Sequence, residues 1–232
     1  GHIEGADDFR GVITATVRDS KETVTCRLND TGKDGAEKAF EYKDRTKTLY
    51  QGTDSVRGGK FAFSFAVPLD INYSNQSGLV NLYAVNTAKT LSAHGFSEQF
   101  TVGESEEQKN DSIGPSIYCY LNSPSFTDGG RVNATPYFVA QITDKDGVNV
   151  SGSGIGHDLQ LVIDGDMSKT YVLNDHFTYD FGSYTSGSTY YSIPELEPGK
   201  HQLMFRAWDI QNNSSTVRLN FNVVKGLTPN LF

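Results

Sequence analysis

The chain has 232 residues, 37% hydrophobic and 21% charged, with 20 Lys and Arg against 28 Asp and Glu for a net charge of −8. That balance argues against nucleic acid as a partner, whose affinity comes from cationic side chains on phosphates; no apolar run reaches the ~18–20 residues of a membrane-spanning helix, and the start does not read as a secretory signal. Abundant Gly, Phe and Tyr, without runs rich in Ala, Leu, Glu and Lys, predict short strands and tight turns, hence an all-β protein and not a helical bundle.

Gly1 to Gly5 resembles a protease-site linker left over from expression and is set aside, so His2 carries no weight. Phe9 to Val17 is the first predicted strand, Asp19-Ser20-Lys21 a turn, and Thr23 to Leu28 the returning arm of a hairpin. Residues 29–39 are polar and aperiodic, an exposed loop. Strands follow at Thr48 to Tyr50, Thr53 to Val56 and Lys60 to Val67. In the last of these Phe61, Phe63, Phe65 and Val67 occupy every second position, the clearest period of two in the chain, and Pro68 ends it. Gly78 to Val85 and Gly95 to Val102 complete about seven strands, a sandwich pattern.

Residues 103–112 break the pattern with four carboxylates and no large apolar group. Such a stretch buries too little surface to offset its ordering entropy and reads as a linker. Beyond it, strands are predicted at Pro115 to Leu121, Tyr137 to Thr143, Leu159 to Asp164, Thr170 to Leu173, Thr189 to Ile193, His201 to Trp208 and Thr216 to Val224. Asp209 to Ser214 has hairpin-turn chemistry between the last two. The expected architecture is two consecutive Ig-like or fibronectin-like antiparallel β-sandwiches, over residues 6–104 and 113–226, with a linker at 105–112 and a tail at 227–232.

Chemistry is sparse. Cys26 and Cys119 each share a strand face with apolar neighbours, Val24 and Leu28 for the first, Ile117 and Leu121 for the second. Both are therefore expected to be buried, inert thiols, and the domain division separates them too far for a disulfide. None of His94, His157, His176 and His201 is placed beside a cysteine, and no nucleophile elbow is present, so no catalytic residue is assigned. Asp144, Asp146 and Asn149 open like a calcium loop, but Ile155 stands where the twelfth-position carboxylate belongs, and a type I turn explains them better. No spacing suggests zinc, and Gly152 to Gly156 lacks the Lys and helix of a phosphate loop. No cofactor is expected. Tyr171, Phe177, Tyr179, Phe181, Tyr184, Tyr190 and Tyr191 crowd one polar stretch, the pattern of a partner-binding surface or of a divided core and edge.

A more specific signal is the order of motifs. In the second half these are Asp111 to Pro115, Tyr120-Leu121-Asn122, Phe126 with Gly129-Gly130, Pro136, Asp144 to Asn149 and Gly154-Ile155-Gly156-His157-Asp158. Leu173-Asn174-Asp175, Leu196 with Pro198 to His201, Ala207-Trp208-Asp209 and Asn212-Asn213-Ser214 complete it. The first half adds Asp8 to Gly11, Phe40, Gly52, Ser55-Val56, Gly59-Lys60-Phe61, Val67-Pro68, Asp70 to Tyr73 and Tyr83-Ala84. Together they resemble the region after the peptidase domain in the type IX secretion sortases, gingipain-like cysteine peptidases of Bacteroidetes.

The resemblance implies a bacterial, outer-membrane-associated protein at the cell surface. Its parent enzyme would remove the C-terminal secretion signal of cargo proteins and join them to anionic lipopolysaccharide. The catalytic Cys and His would lie upstream, and neither Cys26 nor Cys119 matches their motif. This fragment would be a non-catalytic module that positions the peptidase domain of its own chain, the cargo signal domain or an outer-membrane barrel shuttle protein. Gly154, Gly156, His157, Asp158, Trp208, Asp209, Asn212 and Asn213 would be structural, with His157 and Asp158 locking a turn. The rival reading is a freestanding adhesin or carbohydrate-binding sandwich using the aromatics of 171–193.

Overall fold

A computed structural model describes residues 1–26, 39–103, 111–152 and 156–227. In the first half the strands are β1 (Gly11–Arg18), β2 (Glu22–Thr25), β3 (Glu41–Asp44), β4 (Thr48–Val56), β5 (Gln76–Ser77), β6 (Leu79–Asn86), β7 (Ser92–Ser97) and β8 (Thr101–Val102). The second half contains β9 (Ser116–Leu121), β10 (Gly130–Val132), β11 (Tyr137–Thr143), β12 (Val148–Asn149), β13 (Gln160–Ile163) and β14 (Thr170–Val172). It continues through β15 (Phe177–Tyr179), β16 (Ser186–Ser192), β17 (Gly199–Asp209) and β18 (Ser214–Val223). The all-β expectation holds: the only helical pieces among the described residues are two 3-10 turns, Met167–Lys169 and Asn174–His176.

The first half is built on an antiparallel sheet of order β4-β1-β6-β7. Strand β1 lies inside it because Ile13, Ala15 and Val17 alternate inward and are buried. This corrects the predicted hairpin between β1 and β2. β1 pairs with β4 and β6, whereas β2 pairs with β3 from Glu22↔Asp44 to Thr25↔Glu41. The cause lies at Asp19 and Ser20, which are buried. The Asp19 carboxylate accepts from the amides of Ser20 (2.6 Å) and Asn72 (2.7 Å), turning the chain inward and away from a hairpin. Cys26, expected to be buried, is exposed, because it follows a short ribbon whose β3 strand faces solvent throughout. Residues 27–38, which include the rest of the predicted strand and most of the predicted loop, lie outside the described set, as does most of the predicted linker.

Lys60 to Val67 is also corrected. Half-buried Phe61, Phe63 and Phe65 alternate with exposed Ala62 and Ser64, but apart from isolated bridges at Lys60 the segment joins no sheet ladder among the described residues. Side-chain period reports which face is buried; it says nothing about whether a neighbouring backbone is present to pair. Tyr50, on β4, stacks on Phe63 and Phe65 at 6.3 and 5.4 Å.

The second half is a sandwich of two sheets, one of order β15-β16-β11-β9 and the other β10-β18-β17-β13-β14, with β12 on β17. One pairing departs from the antiparallel expectation: β10 runs parallel to β18, from Gly130↔Phe221 to Val132↔Val223. Between the sheets lie Leu121, Phe138, Ala140, Ile142, Leu161, Ile163, Leu203, Phe205 and Phe221, all fully or almost fully buried. The rings of Phe138 and Phe205 meet at 5.1 Å. Each of these Leu, Ile and Phe side chains contributes about 1.5–3 kcal/mol by leaving water.

This core does not end at the sandwich. Ala15, Val17, Leu49 and Tyr50 of the first half belong to the same buried cluster, and Tyr50 meets Tyr179 at 5.2 Å. Two backbone bonds cross the seam, from Gly182 N–H to the Thr53 carbonyl (2.8 Å) and from Leu69 N–H to the Ile210 carbonyl (2.9 Å). Gly147 (φ +135°) also sits there: a Cβ on it would come within 3.1 Å of the Ala66 Cβ.

Candidate functional site

The seam gathers several of the motif residues of the sequence, His157, Trp208, Asp209 and Asn212 among them. Asp70 projects from the first half into a polar cluster made by the second. Its Oδ2 accepts from His157 Nδ1 (2.7 Å) and Asn149 Nδ2 (3.1 Å), and its Oδ1 from Asn212 Nδ2 (3.0 Å). The His157 ring lies 4.4 Å from the Trp208 ring, and the Arg206 guanidinium stands over the same indole at 5.4 Å. Each partner is held in turn. Asn149, fully buried, takes the Ser151 amide and hydroxyl on its Oδ1. Fully buried Asp209 takes the amides of Gln211 (2.9 Å) and Asn213 (2.7 Å), fixing the β17–β18 turn that presents Asn212.

His157 was expected to pair with Asp158; its partner is Asp70, 87 residues earlier. Burial pushes the Asp158 carboxyl above its usual range, against a smaller opposing effect from His157. Gly156 has φ +90°, a left-handed conformation that suits glycine, while Gly154 lies outside the described residues. Asp70 itself carried no chemical signal in the sequence, since its donors are 79 to 142 residues away.

The three residues of the weak calcium loop serve other ends. Asp144 Oδ1 accepts from the amides of Asp146 (2.8 Å) and Gly147 (3.1 Å), which defines the turn. Its carboxyl is raised, first by burial, with those two amides opposing. Asp146 pairs with Lys145, which also pairs with Asp111, and Asn149 faces Asp70. The hydrogen bond from Lys145 holds Asp111 well below the usual carboxylate range. Among the described residues no group of three or more His, Cys, Asp or Glu converges as a metal-binding set.

The thiols and imidazoles do not meet among the described contacts. Cys119 is buried in β9 and its thiol is pushed up to about 11 by desolvation, which suppresses the thiolate that nucleophilic chemistry needs. His176 lies edge-on to Tyr190 and Tyr191, and His201 bonds Asp164 and the Glu197 carbonyl while stacking on Phe221.

The aromatic group of 171–193 divides. Tyr179 is buried in the seam and donates its hydroxyl to the Val148 carbonyl (2.6 Å), and half-buried Phe177 and Tyr184 pack on the shared core. Tyr171 and Tyr191 meet at 4.8 Å and close the flank of the sandwich. Phe181 is exposed on a turn. Only Tyr190 stands on the outer face of the β15-β16-β11-β9 sheet, half exposed.

There it has company that lies outside the 171–193 stretch. Register places Tyr120 and Tyr190 on either side of Val139, with Tyr118 beside Gln141 in the adjoining row. Tyr137 stacks on Tyr190 at 5.9 Å, and Tyr118 meets Tyr120 at 5.8 Å. The result is a four-tyrosine face with Gln141 and Ser188 beside it. Desolvation, then the neighbouring Tyr190 and Tyr120, push the Tyr137 phenol up. The period of two at Tyr118 and Tyr120 was the available sequence signal; which strands adjoin β9 was not.

Fold and sites together define an all-β module with a polar latch at its seam and a tyrosine-rich outer face. No family model matches the chain, and no curated protein matches it. Among solved structures it is similar to one of dimeric latent PorU from Porphyromonas gingivalis, with 36% identity and a TM-score of 0.51 over 95% of this chain. The chain is thus related to a region of PorU, and it spans 20% of that chain's length.

Proposed function

We propose that this chain is a non-catalytic β-sandwich module of a type IX secretion sortase at the bacterial cell surface. The observation that carries the reading is the 36% identity to PorU along 95% of the chain. On this reading the parent enzyme cleaves the C-terminal signal from cargo and attaches the cargo to lipopolysaccharide, with its peptidase machinery elsewhere in the polypeptide. The buried, neutral thiol of Cys119 and the structural roles of His157 and His201 support assigning the chemistry elsewhere. Residues 6–104 and 113–226 are the two domains of the module, held in one orientation by the Asp70 cluster. The tyrosine face is the surface offered to a cargo signal domain or an outer-membrane barrel partner, since exposed Tyr gives large contact area at low entropic cost.

The test is binding and cleavage by the purified 232-residue protein. Binding to a cargo C-terminal domain that weakens on Tyr190→Ala, with no thiol-dependent cleavage, is expected. Thiol-dependent cleavage would end the non-catalytic reading. Specific glycan binding lost on the same substitution, with no protein binding, would favour the carbohydrate-binding alternative.

A further inference from the structure

In the first half an amine and a primary amide, 25 residues apart in sequence, are held against each other by a third residue. Asp19, fully buried, ties the two backbones together. Its amide donates to the Lys47 carbonyl (3.0 Å), and its Oδ2 accepts from the Asn72 amide (2.7 Å). Between them the Lys47 Nζ, partly buried, donates to the side-chain Oδ1 of Asn72 at 2.6 Å. A carbonyl bond is about 1.23 Å long, so the lysine nitrogen stands within about 3.8 Å of Asn72 Cγ.

Two further features set this contact apart from an ordinary hydrogen bond. No carboxylate pairs with Lys47 among the described residues, so its partner is the amide oxygen. At the other end of the same amide, Asn72 Nδ2 is buried without an acceptor. Folded proteins rarely leave a buried donor unmet, and the cost disappears if that nitrogen departs.

We propose that Lys47 and Asn72 join in an intramolecular isopeptide bond. The Nζ–Cγ bond forms and the Cγ–Nδ2 bond breaks. Nζ keeps one of its three protons; the other two end on the departing nitrogen, which leaves as an ammonium ion, so charge is conserved and no co-reactant enters. Between free partners such an exchange is slow, but well-oriented intramolecular reactions reach effective concentrations of about 10⁵–10⁸ M. The bond closes a loop that contains β4 and the Phe61 to Val67 segment, and it fastens the chain two residues after Asp70 to the start of β4. The inference rests on Lys47, Asn72 and Asp19 and does not depend on the sortase reading.

The experiment is the intact mass of the purified 232-residue protein after prolonged warm incubation. The expected mass lies about 17 Da below that of the sequence, the ammonia lost in the exchange. Trypsin should then spare Lys47, and residues 46–57 should appear joined to residues 61–89. Lys47→Arg keeps a cation and a donor but has no amine to acylate, and should show its full sequence mass. Asp19→Ala, which frees the Asn72 amide, should lower the linked fraction roughly tenfold or more, and Asp19→Asn, which keeps an acceptor there, should restore it. A fraction unchanged in Asp19→Ala would strike Asp19 from the assignment. A full sequence mass for the unaltered protein, with cleavage after Lys47, would overturn the proposal. So would a loss of ammonia that maps to other peptides or persists in Lys47→Arg, which would assign it to cyclisation of another asparagine.

Discussion

Replacing Asp70 by alanine tests the seam most directly. Three donors among the described contacts converge on this one carboxylate, which is 10% exposed, and they come from three separate segments of the second half. A hydrogen bond to a charged group contributes about 1.5–3 kcal/mol, so three would reach roughly 4–9 kcal/mol if independent. They are not independent, and His157, 24% exposed, can regain water. We therefore expect a loss of about 3 kcal/mol, near the lower end of what removing one partner of a buried charge pair costs. That is a factor of about 150 in the folding equilibrium and a fall of roughly 6–12 °C in Tm for a chain of this length. Urea unfolding followed by Trp208 fluorescence is the assay, since this is the only tryptophan and it packs on His157. Asp175→Ala, at an exposed site, is the control. A double-mutant cycle with Asn149→Ala should show coupling of at least about 1 kcal/mol. A loss for Asp70→Ala no larger than the control, or strict additivity in the cycle, would refute the latch.

Native-state labelling should modify Cys26 quickly and Cys119 only on unfolding; equal rates would contradict the burial of Cys119. The sign of its pH effect follows. The folded thiol, raised to about 11 from an ordinary value of 9.0, stays protonated where the unfolded chain has lost its proton. Stability should therefore decline between about pH 9 and 11, by at most about 2.7 kcal/mol at 1.36 kcal/mol per unit, and Cys119→Ala should flatten that stretch of the curve. Tyr179→Phe should cost about 1–1.5 kcal/mol by orphaning the Val148 carbonyl, whereas Tyr190→Ala should change urea stability by less than about 1 kcal/mol. Gly147→Ala should cost roughly 1–3 kcal/mol, because it combines a positive φ with crowding against Ala66; a neutral result would show that the seam yields at that point.

What could be read from sequence was local. The residue pattern located β1, β6, β11, β17 and β18 to within a few residues at each end. Pairing was not local, and there the reading failed. Asp19-Ser20 looks like any exposed turn until Asn72 and Lys47 are brought to it. Phe61 to Val67 has the side-chain pattern of a strand without the neighbour that would make it one. β10 is three residues long and pairs in parallel with a strand some ninety residues on, so no turn announces it. The exposure of Cys26 follows from where the β2–β3 ribbon stands, a tertiary property. The candidate site behaved likewise: His157, Trp208, Asn149 and Asn212 were singled out by motif, but the carboxylate that unites them belongs to the other half.

The shared cluster around Tyr50 and Tyr179 bears on how this protein can be dissected. Cleaving it within the acidic stretch 103–112 would leave one piece with the rings of Tyr50, Phe63 and Phe65 stripped of cover. The other piece would carry bare Tyr179 and Tyr184 and the amide and imidazole donors of Asn149, Asn212 and His157 with no carboxylate to accept from them. Each piece would have a raw, sticky flank, and their insolubility when made singly would say nothing against the integrity of either sheet. Co-expression of the two, with recovery of a 1:1 complex, is the natural way to divide this molecule.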